Sequence, residues 1–470
     1  MTVRRGVGWG FALAAGAALG LSLTVFIALI AITALQAGPI TAMWATAQAG
    51  ISLSLRSMDV PGTRDSLAYT TIAQVEGESP AAGFEMSRGD ALVEVAGVAV
   101  DRPRRVWEAV GAAPGGREVS LPVVWMPRAE VTLGQLRSAG GEEGPRVVLT
   151  APSPRAQQAG LAAGDILVSA SRIPITGTRQ AWEALVVAAL TQGVPIELLV
   201  ERGGERATVS WNPTARGRLP FVRDPVRAWW AFLTTLNEPR YPERAGLLPA
   251  FAGSMYVGLV MAAVAFPLGI AGAVYLEEYA PTNALTRVSE VLVANLAGTP
   301  SAVVGIIGLE VFARALGAGR SVLAGGLTLS VLILPMLIVA VREALRAVPH
   351  GVREAALAVG ATRWETVRHH VLPYALPGIL TGTILSFSRA LGEAAPLLLL
   401  GAFLFVTYVP QGLGDTFTVL PLQIFEWATR PQDGFATVAA AASVILVALL
   451  LLLNAVAIVL RSRFQRRWSA

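Results

Sequence analysis

The sequence predicts an α-helical membrane protein with six transmembrane helices and a soluble, mainly β insertion between the first and second of them. Of the 470 residues, 54% are hydrophobic and only 15% are charged, well to the apolar side of a soluble domain. Long apolar segments occupy the C-terminal half of the chain. Residues 55–215 instead hold many of the charges and contain an internal repeat, which indicates a separately folded region.

Six apolar segments are each at or above the ~20 residues that span a bilayer as a helix. They are residues 7–36, 247–276, 290–314, 321–341, 374–403 and 434–460. The first could instead be a secretory signal, because Arg4 and Arg5 precede it and Ala47-Gln48-Ala49 resembles a cleavage site. Its apolar run of roughly thirty residues exceeds the ~7–15 of a signal core. We therefore expect a retained first transmembrane helix within residues 1–40.

The placement of arginine predicts the orientation of these helices. Arginines precede the first segment, follow the sixth, and fill the loop between the fourth and fifth. Such loops face the cytoplasm, so both termini are expected there and the insertion is expected outside. The net charge of +5 is thus explained by topology, and no nucleic-acid partner is expected.

The insertion contains two copies of one pattern at a spacing of 75 residues. The copies share a Gly-Asp step, an arginine and a Trp-Glu-Ala triplet, found as Gly89-Asp90, Arg104 and Trp107-Glu108-Ala109, then as Gly164-Asp165, Arg179 and Trp182-Glu183-Ala184. Alternating apolar runs around these anchors predict strands, and residues 179–190 predict an amphipathic helix. We expect one unit over 55–130, a second over 131–215, and a linker over 216–246.

Residues 153–167 of the second copy resemble the core signature of bacterial PDZ domains, which makes residues 55–130 a degenerate PDZ-like repeat. The resemblance implies a small β-sandwich whose groove binds an extended peptide by strand addition. We place the peptide-groove candidate at Leu133 and Gly134, where an exported peptide or protein would bind. The alternative is that the copies are rigid spacers, which we favour for the first copy and leave open for the second.

Residues 353–401 join a polar helical hairpin directly to the fifth apolar segment. A run of helix formers stops at Gly360, and Thr362 followed by Glu365 predicts a capping box at the next helix. This hairpin resembles the EAA loop of ABC importer permeases, which have the type I permease fold. The resemblance implies a cytoplasmic coupling loop over residues 342–373 that docks on a separate ATPase, with the coupling residues Glu354, Ala355, Ala356 and Gly360.

Arg389 and Glu393 lie four residues apart inside the fifth apolar segment, so one helical face is expected to carry both. Ionisable groups at membrane depth usually face a cavity or a partner. We interpret Arg389 as lining an anion path, with Glu393 holding or balancing it; the alternative is an ion pair that only fixes packing. Arginine suits phosphate because its planar fork donates two hydrogen bonds to an oxyanion.

Residues 388–398 resemble the fifth transmembrane helix of PstA-type permeases of phosphate importers, and residues 269–281, 298–305 and 420–425 resemble further parts of that family. The resemblance covers about 247–465, the expected permease core. It implies a subunit of a bacterial inner-membrane phosphate importer that pairs with a second permease (PstC type), an ATPase dimer (PstB type) and an external phosphate-binding protein (PstS type). The alternatives are a sulfate or molybdate permease and a membrane-tethered PDZ scaffold or sensor without transport.

Catalysis on this chain is not expected. The sequence has no lysine, so the Gly-x-x-x-x-Gly-Lys phosphate loop is impossible and ATP is assigned to a partner subunit. The histidines are His350, His369 and His370, and they form neither a His-Glu-x-x-His motif nor part of an extracytoplasmic Ser/His/Asp set. Cysteine is absent. We therefore expect no catalytic residue, no metal site and no cofactor on this chain.

Overall fold

The structure is a computed structural model that describes residues 27–468, apart from residues 35, 37, 60–65, 78, 85, 129–132, 142–143, 193, 403–404 and 433. Most of the predicted first transmembrane helix, residues 7–36, therefore lies outside the described residues; within it, residues 27–34 are helical. Helix α1 (Ile40–Gln48) follows and leads into the β-rich insertion. The retained first helix stays a prediction.

The insertion folds into two antiparallel sheets of six strands each. The first sheet, which we call unit 1, has the order β1-β2-β3-β5-β12 with β4 on β3, and comprises β1 (Ile51–Asp59), β2 (Ser66–Val75), β3 (Ala91–Val95), β4 (Val98–Ala99), β5 (Glu118–Met126) and β12 (Ala215–Val222). The second, unit 2, has the order β11-β10-β8-β7-β6 with β9 on β8, and comprises β6 (Gly134–Gly141), β7 (Gly144–Pro152), β8 (Ile166–Ala170), β9 (Ile173–Pro174), β10 (Ile196–Arg202) and β11 (Glu205–Trp211).

The same elements recur in both units at the spacing found in the sequence. Strands β3 and β8 begin at Ala91 and Ile166, and strands β4 and β9 begin at Val98 and Ile173. Each pair is followed by a helix, α2 (Pro103–Ala112) in unit 1 and α4 (Thr178–Gln192) in unit 2, which also contains the short α3 (Pro154–Gln158). The repeated pattern in the sequence therefore corresponds to a repeated hairpin-helix-strand motif.

One expected boundary is wrong, because residues 215–222 are a strand of unit 1 rather than the start of a linker. Strand β12 pairs with β5 in the register Ala215 to Trp125. Its side chains alternate, with Leu219 and Phe221 buried between exposed neighbours such as Arg218, which is the pattern of a half-buried strand. Unit 2 is thus inserted into a hairpin of unit 1.

The helices of the C-terminal half begin with α5 on the approach to the membrane. In chain order they are α5 (Pro225–Thr234), α6 (Leu248–Val274), α7 (Ala284–Ala297), α8 (Ser301–Ile307), α9 (Val322–Arg346), α10 (His350–Ala358), α11 (Arg363–Thr366), α12 (Leu372–Leu391), α13 (Ala395–Leu400), α14 (Leu420–Ala428) and α15 (Phe435–Trp468). Wider-turn segments extend α6 over Tyr275–Tyr279 and α8 over Gly308–Ala315, and join α11 to α12 over Val367–Val371.

Within the described residues, four helical segments are long and apolar enough to cross a membrane: Leu248–Tyr279, Val322–Arg346, Arg363–Leu391 and Phe435–Arg463. A fifth crossing exists if the pair Ala284–Ala297 and Ser301–Ala315, bent by 105°, is one span. The apolar segment 290–314, expected to form one spanning helix, is therefore divided between two helices that meet at a bend. Pro300 interrupts it, because proline lacks an N–H and disfavours helix in the residue before it.

Among the described residues, three hydrophobic cores hold these parts together. The membrane helices share one core, in which α9 packs against α6, α7 and α12. Unit 2 has its own core and contacts unit 1 through Tyr69, Ala91 and Met126. The core of unit 1, by contrast, continues into the ends of the membrane helices: Trp107 and Phe221 belong to the same cluster as residues of α14 and α15. Unit 1 is therefore a structural part of the membrane protein.

Candidate functional site

A cavity of about 200 Å³ lies where the bent helix pair meets the end of α12. It is lined by Leu296, Ala297, Thr299, Pro300, Ser301, Leu332, Ile333, Met336, Arg389, Ala390 and Glu393. Arg389 sits in the last turn of α12, and Glu393 follows the glycine that caps this helix. The structure thus brings the two predicted charged residues to one cavity.

The local backbone differs from the prediction that one helical face carries both residues. Helix α12 ends at Leu391, Gly392 caps it, and the next helix begins only at Ala395. Pro396 contributes to this break because it cannot donate a backbone hydrogen bond to the preceding turn. Arg389 and Glu393 therefore approach the cavity from a helix end and from the bend that follows it.

Neither charge is neutralised inside the described part of the chain. Arg389 and Glu393 form no ion pair with each other or with any other described residue, so the packing-pair alternative gains no support. The cavity also contains hydroxyl groups, from Thr299 and Ser301 on either side of Pro300. Both hydroxyls lie within residues 298–305, which resemble the PstA-type family, but no local feature of the sequence marks them as site residues.

The predicted helical hairpin is present on α10 and α11. Gly360 separates the two helices at a φ of +91°, in the left-handed region that favours glycine. The capping box is confirmed: the Thr362 N–H donates to Glu365 Oε2 at 2.8 Å, and the Glu365 N–H donates to Thr362 Oγ1 at 3.3 Å. The hairpin turn is therefore defined by its own local sequence.

The four predicted coupling residues differ in exposure. Glu354, Ala355 and Gly360 are exposed, whereas Ala356 is buried. Beside them lies a set of exposed apolar side chains that sequence reasoning did not identify: Leu357, Val359 and Trp364. Val359 is 84% exposed. An apolar patch of this kind on a helical hairpin is typical of a protein-docking surface.

An ionic network anchors the hairpin to the membrane helices. Arg353 of α10 donates to Glu278, just past the end of α6, at 2.6 Å. The adjacent Glu277 accepts from Arg346 at 2.9 Å and from Arg342 at 3.1 Å, both near the end of α9. Arg342 also pairs with Glu290 of α7. The network therefore connects α10 with the ends of α6, α7 and α9.

The peptide-groove candidates lie at the start of β6, an edge strand of unit 2. Leu133 is fully buried in the core of unit 2, so its side chain does not line a groove. Gly134 has a φ of +106°, and a Cβ there would lie 2.0 Å from the Ala151 carbonyl oxygen. Only glycine fits this close approach.

The repeated Gly-Asp steps have structural roles in the two units. Asp165 bonds Arg202 through Oδ1 at 2.6 Å, and this hydrogen bond holds the pKa of the carboxyl below its usual value. Asp90 accepts from the backbone N–H groups of Ser87 and Arg128 and is buried, and burial raises its pKa. Both carboxyls therefore organise turns.

A buried carboxyl joins unit 1 to the segment ahead of α6. Glu243 lies in the short turn Pro242–Arg244, and its Oε1 accepts the backbone N–H of Leu53 in β1 at 2.7 Å. Its Oε2 is buried without a hydrogen-bond partner among the described residues. Burial raises the pKa of Glu243 to about 7. No local sequence pattern predicts this contact, because the partners are 190 residues apart.

Comparison with known proteins identifies the helical half. The family described as "Binding-protein-dependent transport system inner membrane component" matches residues 265–470. The phosphate transport system permease protein PstA 1 of Mycobacterium tuberculosis is 35% identical over 240 residues, which cover 50% of this chain and 76% of that protein. This chain belongs to the PstA-type permease family. With its several apolar helices, the permease is a multi-pass protein of the inner membrane.

Other relatives match a smaller part of their own length. Two probable ABC transporter permeases of Bacillus subtilis, YqgI and YqgH, are 38% and 41% identical, over 33% and 35% of this chain. The permease spans about half their length, 52% and 55% respectively. Among solved structures, an inward-facing MetNI methionine ABC transporter matches 47% of this chain and 94% of its own at 22% identity, with a TM-score of 0.38.

Proposed function

We propose that this permease is a subunit of an ATP-driven importer of inorganic phosphate and forms half of its translocation path. The observation that carries the proposal is the cavity in which Arg389 and Glu393 meet the hydroxyls of Thr299 and Ser301. The similarity to permeases named for phosphate transport supports the choice of anion. Sulfate or molybdate is the alternative substrate.

The cavity residues suit passage of an oxyanion rather than tight binding. Arg389 offers a planar set of donors to two phosphate oxygens, and the hydroxyls of Thr299 and Ser301 can donate to the others. Glu393 supplies a negative charge at the same cavity, which weakens anion affinity and favours release. A translocation site needs this balance, because an anion that binds too tightly cannot leave.

The hairpin is the proposed contact with the ATPase. The exposed surface around Glu354, Leu357 and Val359 would enter a groove on a PstB-type ATPase dimer. The Arg353–Glu278 pair would pass the resulting movement to α6, and Glu277 would pass it to α9. In this assembly a PstC-type permease completes the path, and a PstS-type binding protein delivers phosphate from outside.

The proposed orientation has both termini and the hairpin in the cytoplasm and units 1 and 2 outside. Arginine placement supports it, because the arginine-rich loop 342–373 and the C-terminal arginines lie on one side of the predicted crossings. In this orientation unit 1 packs on the outer ends of the membrane helices and is fixed there by their shared hydrophobic core. Unit 2 would bind an exported peptide or protein along the exposed edge of β6.

Phosphate uptake into vesicles that contain the permease with its proposed partners tests this function. Wild type should accumulate phosphate in vesicles loaded with ATP, and Arg389→Ala should abolish uptake without loss of the assembled complex. The same vesicles are then offered sulfate and molybdate in place of phosphate. If sulfate or molybdate stimulates ATP hydrolysis and phosphate does not, the phosphate assignment is wrong. If none of the three anions stimulates it with all partners assembled, the transport assignment is wrong.

A further inference from the structure

A cleft of about 430 Å³ lies between unit 1 and the segments that lead into α6 and α15. One wall is formed by β1 and β2, the turn at Arg88 and Gly89, and the start of α2. The other wall is formed by Arg240–Pro242, just ahead of α6, and by Pro431 and Gln432, just ahead of α15. The cleft is separate from the cavity that contains Arg389, and most of its lining precedes the region that matches the permease family.

Three arginines line this cleft, from three different parts of the chain. Arg56 comes from β1, Arg88 from the turn before β3, and Arg240 from the segment ahead of α6. Among the described lining residues there is no aspartate or glutamate. Within the described part of the chain, none of the three guanidinium groups takes part in an ion pair or a hydrogen bond. The cleft therefore concentrates positive charge that no described residue neutralises.

Arginines close to the cleft that do not line it are neutralised. Arg244 pairs with Glu76 at 2.8 Å. Arg430 donates to Glu426 and to the Pro239 carbonyl, and its guanidinium lies 4.4 Å from the centroid of the Phe435 ring. This contrast indicates that the local fold provides partners for its structural arginines. Converging unpaired charges raise the local potential and attract an anion.

We propose that the cleft binds a phosphate ester, with the phosphate held by Arg56, Arg88 and Arg240. Arginine pairs with phosphate through two parallel hydrogen bonds, which makes it the side chain best suited to this group. The remaining wall is largely apolar and includes Leu55, Pro242 and Pro431. A cleft of 430 Å³ falls in the range of about 300–1,000 Å³ found for small organic ligands, and so has room for more than an inorganic ion.

The position of the cleft bears on the source of the ester. Helices α6 and α15 begin at Leu248 and Phe435, within a few residues of Pro242 and Gln432 in the cleft wall. The cleft therefore lies close to the membrane surface, where lipid headgroups are found. An anionic phospholipid and a soluble phosphate ester present the same phosphate chemistry, so the experiment must separate them.

The test is equilibrium binding to the purified full chain in a nonionic detergent. The probes are short-chain phosphatidylglycerol, glycerol 3-phosphate and inorganic phosphate at one ionic strength, with diacylglycerol as an uncharged lipid. The test variant is Arg56→Gln/Arg88→Gln/Arg240→Gln. The matched control is Arg137→Gln/Arg155→Gln/Arg206→Gln, which removes three exposed arginines of unit 2 outside the cleft and changes the net charge equally.

Wild type should bind one phosphate ester per chain, and the cleft variant should bind at least about tenfold more weakly because it loses the charged hydrogen bonds. The control should match wild type. Binding of phosphatidylglycerol alone identifies a lipid site, and equally tight binding of glycerol 3-phosphate identifies a soluble ester. If the cleft variant does not fold, the three single variants take its place, with an expected loss of about threefold each.

Several results would overturn the proposal. They are an equal loss in both triple variants, binding of diacylglycerol as tight as that of phosphatidylglycerol, inorganic phosphate binding as tightly as the esters, and no saturable binding to wild type. Each contradicts either the role of the three arginines or the need for an organic phosphate. Because no partner subunit and no transport are involved, failure here leaves the proposed import function untouched.

Discussion

Arg353 and Glu278 form an ion pair at 2.6 Å that links α10 to the end of α6. Their side chains are only 19% and 10% exposed. Arg353 also donates to the carbonyl oxygens of Leu345 and Val348 at the end of α9. One guanidinium therefore holds together the proposed coupling helix and two membrane helices, and a movement of α10 must be transmitted through it or must break it.

Neutralising one member of this pair should uncouple the transporter. Glu278→Gln or Arg353→Gln leaves the partner as a largely buried, uncompensated charge, at a cost of about 1–3 kcal/mol. We expect phosphate uptake to fall about tenfold or more, with ATP hydrolysis less affected. The measurement is the ratio of phosphate transported to ATP hydrolysed in reconstituted vesicles.

The double variant Glu278→Gln/Arg353→Gln completes a double-mutant cycle, which measures the coupling between the two residues. It removes both charges, so it should be less impaired than the sum of the two single variants. Arg206→Gln, an exposed arginine on β11 of unit 2, is the control and should behave as wild type. Additive effects in the cycle would show that the two residues act separately and would remove the ion pair from the coupling route.

Substitutions at Arg389 should separate charge from geometry in the translocation cavity. Arg389→Lys keeps the positive charge but loses the planar pair of donors, so we expect intermediate uptake, at least about tenfold below wild type. Arg389→Ala should abolish uptake. Both variants should assemble normally, because Arg389 has no partner among the described residues to lose. Failure of Arg389→Ala to assemble would favour a packing role instead.

Glu393→Gln tests the proposed balance of charge at the same cavity. Without the negative charge, Arg389 should hold phosphate more tightly and release it more slowly. We expect a lower maximal uptake rate and a lower phosphate concentration at half-maximal rate. Uptake kinetics over a range of phosphate concentrations measure both quantities, and an unchanged half-maximal concentration would show that Glu393 does not act on the anion.

Sequence reasoning succeeded where the structure is set by neighbours along the chain. The capping box of Thr362 and Glu365 was predictable because both hydrogen bonds form within one turn. The repeat of the insertion was predictable because its anchors recur at a constant spacing. The long apolar helices were predictable from composition alone.

Features that depend on distant parts of the chain were missed. Strand β12 completes unit 1 by pairing with β5, about 90 residues earlier. Its counterpart in unit 2, β11, follows β10 directly, whereas unit 2 separates β12 from β5, so the constant spacing of the repeat did not extend to it. The bend at Pro300 and the break at Gly392 were hidden within apolar stretches long enough to span the membrane. The contact between Leu53 and Glu243 is non-local in the same way.

The conformation of Gly360 predicts a graded response to substitution. A Cβ at this position would have no neighbour within 4 Å, so the only penalty is the φ of +91°. Valine is β-branched and strongly disfavours this region, whereas asparagine tolerates it. We expect Gly360→Val to uncouple uptake from ATP hydrolysis and Gly360→Asn to retain most of the coupling. Equal loss of coupling in both variants would indicate that coupling requires the absence of a side chain at this position, rather than the left-handed backbone conformation of the turn.

Glu243 predicts a dependence of stability on pH. Its pKa is raised from 4.5 to about 7 in the folded state, so above pH 4.5 the unfolded state loses a proton that the folded state retains. Stability should therefore fall as pH rises from about 4.5 to 7, by about 3 kcal/mol in total. Glu243→Gln keeps an acceptor for Leu53 without the charge. It should match wild type near pH 4.5 and be more stable at pH 8.

The measurement for Glu243 is thermal unfolding of the purified chain between pH 4.5 and pH 8. Tryptophan fluorescence suits it, because Trp107 and Trp427 are buried in the core that joins unit 1 to the membrane helices. Glu118→Gln, an exposed carboxyl at the start of β5, is the control and should not change the pH profile. Parallel profiles for wild type and Glu243→Gln would exclude Glu243 as the titrating group.

The two units should respond differently to deletion, because unit 2 is inserted into a hairpin of unit 1. Strands β5 and β12 are paired neighbours in the register Trp125 to Ala215, so the next pair would be Met126 and Thr214. Replacing residues 127–213 with Asn-Gly should close a two-residue hairpin loop and leave the first sheet complete. Tyr69→Thr and Met126→Thr accompany the excision, because both side chains pack into the core of unit 2.

We expect this excised permease to assemble and to transport phosphate at a rate close to that of wild type. Deletion of residues 55–215 should instead prevent assembly, because it removes Trp107. This side chain packs closely against Gly434, just ahead of α15. Without it, Trp427 and Phe435, which share its core, would be exposed. Membrane yield, complex formation and uptake are measured for both. Loss of uptake by an assembled, excised permease would give unit 2 a direct role in transport, and normal assembly after the larger deletion would contradict the shared core.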